Sequence, residues 1–122
     1  MEYTQIIGLN HLKNHLKTSA EHGRVAHAQL FCGPTGSGLL PLALAYAKTL
    51  LCQNLDHEGQ KYQRASNQID ALVHPDLHFM YPVNTTDTVK KSPAVLDFLP
   101  QWRSFATETP YGSLMSWYAH IG

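Results

Sequence analysis

The chain has 122 residues, 43% hydrophobic and 15% charged, with nine basic side chains balancing nine acidic ones. That length suits one domain, and the composition suits a packed globule rather than a disordered segment. A neutral chain lacks the basic footprint of a protein that grips nucleic acid by itself, although it can touch DNA within a larger assembly. Two cysteines, Cys32 and Cys52, make no disulfide framework and point to a reducing cytoplasm. The opening MEYTQIIGLNHLK lacks the apolar run of a signal peptide. The longest apolar stretch, LLPLALAYAKTLLC, is too short and too interrupted by Pro41 and Lys48 to span a bilayer.

In residues 9–23, Leu12, Leu16 and Ala20 recur at i, i+4 and i+8, which predicts one apolar stripe of a helix. Gly23 falls where such a helix would be capped. Residues 28–32, AQLFC, are a mostly apolar run ending at Gly33 and read as a buried strand. Cys32 within it reads as an inert buried thiol. Residues 39–52 are apolar nearly all round, which predicts a helix buried on more than one side. Pro41 is tolerable there only in the first turn, where backbone N–H groups lack helical partners.

Residues 53–59 are polar and read as a loop, followed by a weaker helix over 60–72. Residues 77–83 form a second candidate strand, with Leu77, Phe79 and Tyr81 alternating onto one face. NTTDTVKKS at 84–92 has no periodicity and reads as a mobile surface loop. Residues 94–107 space Val95, Phe98, Leu99, Trp102, Phe105 and Ala106 helically despite Pro100. A last helix is predicted over 112–120, with Ser113 as its candidate cap. A strand, a glycine loop and a helix in that order predict an α/β fold, a parallel sheet flanked by helices. With only two strands in view, residues 1–122 read as the N-terminal portion of one larger domain.

The glycine loop GPTGSGLL, Gly33 to Leu40, carries the chemistry. A phosphate-binding loop runs G-x-x-x-x-G-K-[ST] between strand and helix. Its backbone N–H groups converge on an anion, its lysine reaches the β/γ-phosphates and its hydroxyl binds magnesium. Gly33 and Gly38 have that spacing around Pro34, Thr35, Gly36 and Ser37, but the last two positions are Leu39 and Leu40. Neither leucine can donate a hydrogen bond or ligate a hard cation. Neither ATP nor magnesium binding is expected, and hydrolysis is not expected; weak anion binding by the loop backbone stays open. The plainer reading is a Gly-Pro turn with no nucleotide ancestry.

The eight histidines offer two candidate metal pairs. His11 and His15 are four apart on one helix face, but Lys13 and Lys17 beside them favour a solvated surface. His74 and His78 flank Pro75-Asp76 and could make a small site with Asp76, although such residues more often cap a turn. His27 reads as a buried, hydrogen-bonded structural group. Trp102, Phe105, Tyr111, Trp117 and Tyr118 crowd the last quarter with few cations beside them, so core packing or an interface is favoured over base stacking.

Three stretches resemble one family: Ile7-Gly8-Leu9-Asn10 with Leu12 and Leu16, Arg24-Val25-Ala26-His27-Ala28-Gln29-Leu30-Phe31 running into Gly33-Pro34-Thr35-Gly36-Ser37-Gly38, and His74-Pro75-Asp76-Leu77. In this order and spacing they are similar to the delta-prime family of bacterial DNA polymerase III clamp-loader subunits, which are AAA+ proteins. The resemblance implies a partial P-loop NTPase domain ending before the acidic strand. It implies a stationary arm without ATPase activity, working in the cytoplasm with gamma/tau motor subunits and a delta subunit on a sliding clamp and primed DNA. The family's trans-acting Ser-Arg-Cys motif does not occur here. The family's zinc module keeps only Cys52; its other three cysteines fall near Gln60, Gln63 and Ser66, so no zinc is expected and packing is expected to hold that segment. The alternatives are a divergent ATP-binding gamma/tau-type subunit, a His-dependent metalloenzyme using His74, Asp76 and His78, and an unrelated interaction domain. A partial sheet would leave an unpaired edge, so self-association or marginal stability is expected.

Overall fold

Helix α2, Leu39–Cys52, organises the molecule. A computed structural model describes all residues, 1–122. Five helices are formed: α1 Asn10–Glu21, α2, α3 Gln60–Asp70, α4 Leu99–Glu108 and α5 Leu114–Ile121, with 3-10 turns at Tyr3–Gln5 and Val95–Phe98. Because α2 is apolar nearly all round, it can present a side to each of three clusters. Leu42, Ala45 and Tyr46 pack with Leu16 and Ala20 of α1 and with Tyr3 and Ile6. Leu44 joins Leu72, Tyr81, Phe98, Trp102, Phe105, Ala106 and Trp117 in the largest cluster. Cys52 packs with Ala65 and Ile69 of α3.

The helix ends follow their local chemistry. Gly23 is left-handed (φ 65°) just past α1. Its N–H donates to Ala20 O at 3.2 Å and that of Arg24 to Ser19 O at 2.8 Å, so the last carbonyls are satisfied. Beyond α3, Leu72 takes the same left-handed turn (φ 58°), and Leu72 and Val73 make the equivalent bonds to Ile69 O and Gln68 O. A leucine is strained there, but it is 4% exposed within the largest cluster, so burial offsets the strain. Ser113 caps α5 by accepting from the Ser116 N–H at 3.1 Å. The 94–107 stretch splits because Pro100 can stand only at a helix start: a 3-10 turn precedes it and α4 begins beside it.

The predicted parallel sheet is absent, so the expected α/β fold and partial AAA+ domain are corrected: the chain is helical and no residue is in a strand. Both candidate strands are irregular segments. No backbone hydrogen bond involves residues 28–32, and the only one reaching 77–83 is the local turn from Leu77 N–H to His74 O at 3.1 Å. A strand needs a neighbour about 4.8 Å away. Here α2 stands between the two segments: Phe31 packs on its Tyr46 side and Tyr81 on its Leu44 side. The 77–83 segment still alternates as predicted, with Leu77, Phe79 and Tyr81 turned inward and His78 and Met80 outward. The 28–32 segment does not; Leu30 is 87% exposed and Cys32 is exposed rather than buried. His27, expected to be buried, is exposed as well. No helix is long and apolar enough to cross a membrane.

Candidate functional site

The Gly33–Leu40 loop leads straight into α2. Gly36 (φ 79°) and Gly38 (φ 97°) are both left-handed, a conformation only glycine adopts without strain, and the Ser37 N–H closes the turn on Pro34 O at 3.2 Å. Gly38 is the N-cap of α2, with no side chain to cap it. Leu39 and Leu40 open α2 directly after the turn. Leu40 lies against the largest cluster, and Leu39 methyls would sit 3.3 and 3.7 Å from a Cβ placed on Gly33.

Facing the loop is the connection from α4 to α5, residues 110–114. Together they line a cleft of about 220 Å³ that contains no charged side chain. A phosphate tail there would meet backbone N–H groups but no counter-charge. The Tyr111 ring lies 3.3 Å from the point where a Cβ on Gly38 would stand, and the Tyr111 hydroxyl accepts from the Ile7 N–H at 3.2 Å. Sequence reading placed Tyr111 among packing aromatics and gave no sign that it meets the loop.

On the other side of the loop, the RVAHAQLFC stretch borders a groove of about 560 Å³ against α1 and the start of α2. Leu12, Leu16, Leu30, Phe31, Leu39 and Leu42 give it an apolar wall, with Arg24 and Gln29 at its edge. The Gln29 amide donates to the Tyr46 hydroxyl at 3.0 Å, and the Phe31 and Tyr46 rings lie 6.3 Å apart.

The zinc-module segment folds as α3. Gln60 and Gln63 point to solvent, and Ser66 is buried beside the Cys52–Ala65–Ile69 cluster that packs α3 on α2. Burial pushes the Cys52 thiol above its ordinary pKa. No three His, Cys, Asp or Glu side chains converge to hold a metal ion. His74 Nδ1 instead accepts from the Asp76 N–H at 3.1 Å, a local turn contact.

Lys48 is the polar centre that sequence reading passed over. It is 5% exposed, and its ammonium donates to both Asp70 oxygens at 2.9 and 3.0 Å and pairs with Glu2. The Met1 amino group also binds Asp70, at 2.8 Å. Burial raises the Asp70 carboxyl, but the hydrogen bonds from Met1 and Lys48 outweigh it and hold its pKa below the ordinary value. Burial likewise lowers that of Lys48, and Glu2 and Asp70 reverse this, so its pKa is raised. The signal in the sequence was a single lysine within an otherwise apolar helix.

A glycine turn at the head of a buried helix, with leucines in the two positions that follow, defines the candidate site. Residues 8–109 match the family described as "DNA polymerase III, delta subunit", and the chain belongs to that family. It is similar to DNA polymerase III subunit delta' of Bacillus subtilis (strain 168), at 39% identity over 67 residues, 55% of this chain and 20% of that protein. The chain thus spans about a fifth of the length of that curated relative. No solved structure matches it.

Proposed function

We propose that the chain serves as a non-catalytic, delta-prime-type arm of a DNA polymerase III clamp loader, in the cytoplasm. Its family supports a replication role. The observation that carries the non-catalytic part is the loop: Leu40 packs against the largest cluster, Leu39 gives the cleft an apolar wall, and no charge lines that cleft. A subunit without phosphate counter-charges contributes by position, so ATP-driven partners of gamma/tau type and a delta subunit are the expected neighbours. The sliding clamp and primed DNA are reached through the complex. Neither ATP, magnesium nor zinc is expected as a cofactor.

Affinity capture of the full-length protein from its own cells tests the role. Recovery of the polymerase III motor subunits with it is the expected result, and their absence from repeated captures would count against it. Titration with ATP and magnesium separates this reading from that of a divergent motor subunit: no saturable binding is expected, and micromolar binding would favour the motor reading.

A further inference from the structure

Residues 10–17 of α1 read NHLKNHLK, one four-residue unit given twice. A helix turns about 100° and rises about 1.5 Å per residue, so each residue type of the unit makes its own short stripe. Leu16 turns into the core. The Lys13 ammonium donates to Ile6 O at 2.6 Å, and that of Lys17 lies 5.0 Å from the centre of the Tyr3 ring, so both lysines lean onto residues 3–6. His11 and His15 are left on the opposite side, about 160° round the axis from the lysine pair, and both are exposed. Only His74 and His120 use a ring nitrogen in a hydrogen bond, so the imidazoles of the pair keep theirs free. Glu21 is the one carboxylate of α1 and lies about 100° round the axis from the pair, so no charged side chain of α1 shares its face. The lysines that favour a solvated reading in the sequence therefore do not crowd the histidines in the fold.

We infer that His11 and His15 form a two-imidazole chelate for a borderline divalent ion of the nickel and copper class. Side chains four apart on a helix have their Cβ atoms about 6 Å apart, close enough for both rings to reach one ion. Neutral imidazole suits such ions, whereas hard cations such as magnesium take oxygen ligands. The other coordination positions stay open to water or to a ligand from another molecule. Two ligands make a surface clip, not a four-ligand structural zinc centre, and folding does not depend on it. The clip is independent of the glycine loop and of the clamp-loader reading.

The full-length protein is titrated calorimetrically with nickel(II) chloride, alone and in excess magnesium. The exposed Cys32 is changed to Ser throughout, which keeps its thiol from the metal. His11→Gln and His15→Gln replace exposed side chains and are expected to fold normally. Each is expected to bind the ion at least about tenfold more weakly than the parent, with magnesium making no difference. Amide exchange supplies a second readout placed at the site. An ion held by both rings requires the helix between them, so nickel is expected to slow exchange of the α1 amides in the parent and in neither variant. Equal binding by the parent and both variants, no saturable binding by the parent, displacement by magnesium, or α1 exchange that nickel leaves unchanged each overturns the chelate. None of these results bears on partner recovery, so the clamp-loader reading stands or falls separately.

Discussion

The stretch whose letters say most about ancestry and the stretch that holds the fold together lie at opposite ends of the chain. RVAHAQLF has an exposed side chain at every position from Arg24 to Leu30 and contributes no backbone hydrogen bond beyond the α1 cap at Arg24. The 95–121 region, which holds none of the three motif stretches, supplies five of the eight residues in the largest cluster. There Trp102 stacks on Tyr81 at 4.7 Å, and Trp117 meets Tyr81, Trp102 and Phe105 edge-on at 5.2 to 5.4 Å. Recognisable sequence and stabilising sequence are different properties. Buried aromatic area gives stability whatever its order in the chain, whereas a motif records chemistry or contacts that need not lie in the core.

The contrast is broken most directly by matched truncations. Trp117→Ala is expected to cost about 3–5 kcal/mol in urea unfolding, and Leu30→Ala to stay within about 0.5 kcal/mol. Similar costs at the two sites would remove the distinction. Gly112→Ala is the next largest effect: its methyl must displace the Phe105 ring, and overpacking of that kind costs about 1–3 kcal/mol. Gly23→Ala meets no atom and is opposed by backbone conformation alone, so a thermal melt should show the smaller loss there.

A third test uses pH. The lowered pKa of Asp70 contributes stability above the unfolded carboxylate value near about 4, and this is lost as pH falls through the lower folded value. The raised pKa of Lys48 contributes stability below its unfolded value near about 10.4, lost as pH rises through the folded value. Between those limits neither group changes charge. Asp70→Asn is expected to flatten the acid limb of a stability-versus-pH curve and leave the neutral region level; an unchanged acid limb would show that the network adds nothing there. The smallest effect on folding is expected from Leu30→Asp, which places a charge on an exposed apolar edge. It should leave the melting temperature nearly unchanged, because Leu30 is 87% exposed.

Helix positions were legible in the sequence to within a few residues. The apolar run at 39–52 became α2 with the same bounds, and the Gly23 and Ser113 signals fell where α1 ends and α5 begins. The strands were misread for one physical reason. A helix satisfies its backbone within itself, so its pattern is local, whereas a strand exists only if a neighbour comes alongside. AQLFC and LHFMYPV have strand-like composition, and α2 keeps them apart. The loop was half legible: its glycines and the two leucines that follow were read directly, and nothing near them in sequence showed that Tyr111 lies against Gly38.

What the sequence determined by itself was whatever depends on neighbours along the chain: helix periodicity, caps, the left-handed glycines of the loop and the absent lysine and hydroxyl. Tertiary structure alone decided what depends on residues far apart in number. Those include the three sides of α2, the buried Lys48 with Glu2 and Asp70, and the α4–α5 connection that brings Tyr111 to Gly38. Contacts of that kind are set by how apolar faces find one another in three dimensions, and no short stretch of letters contains both partners.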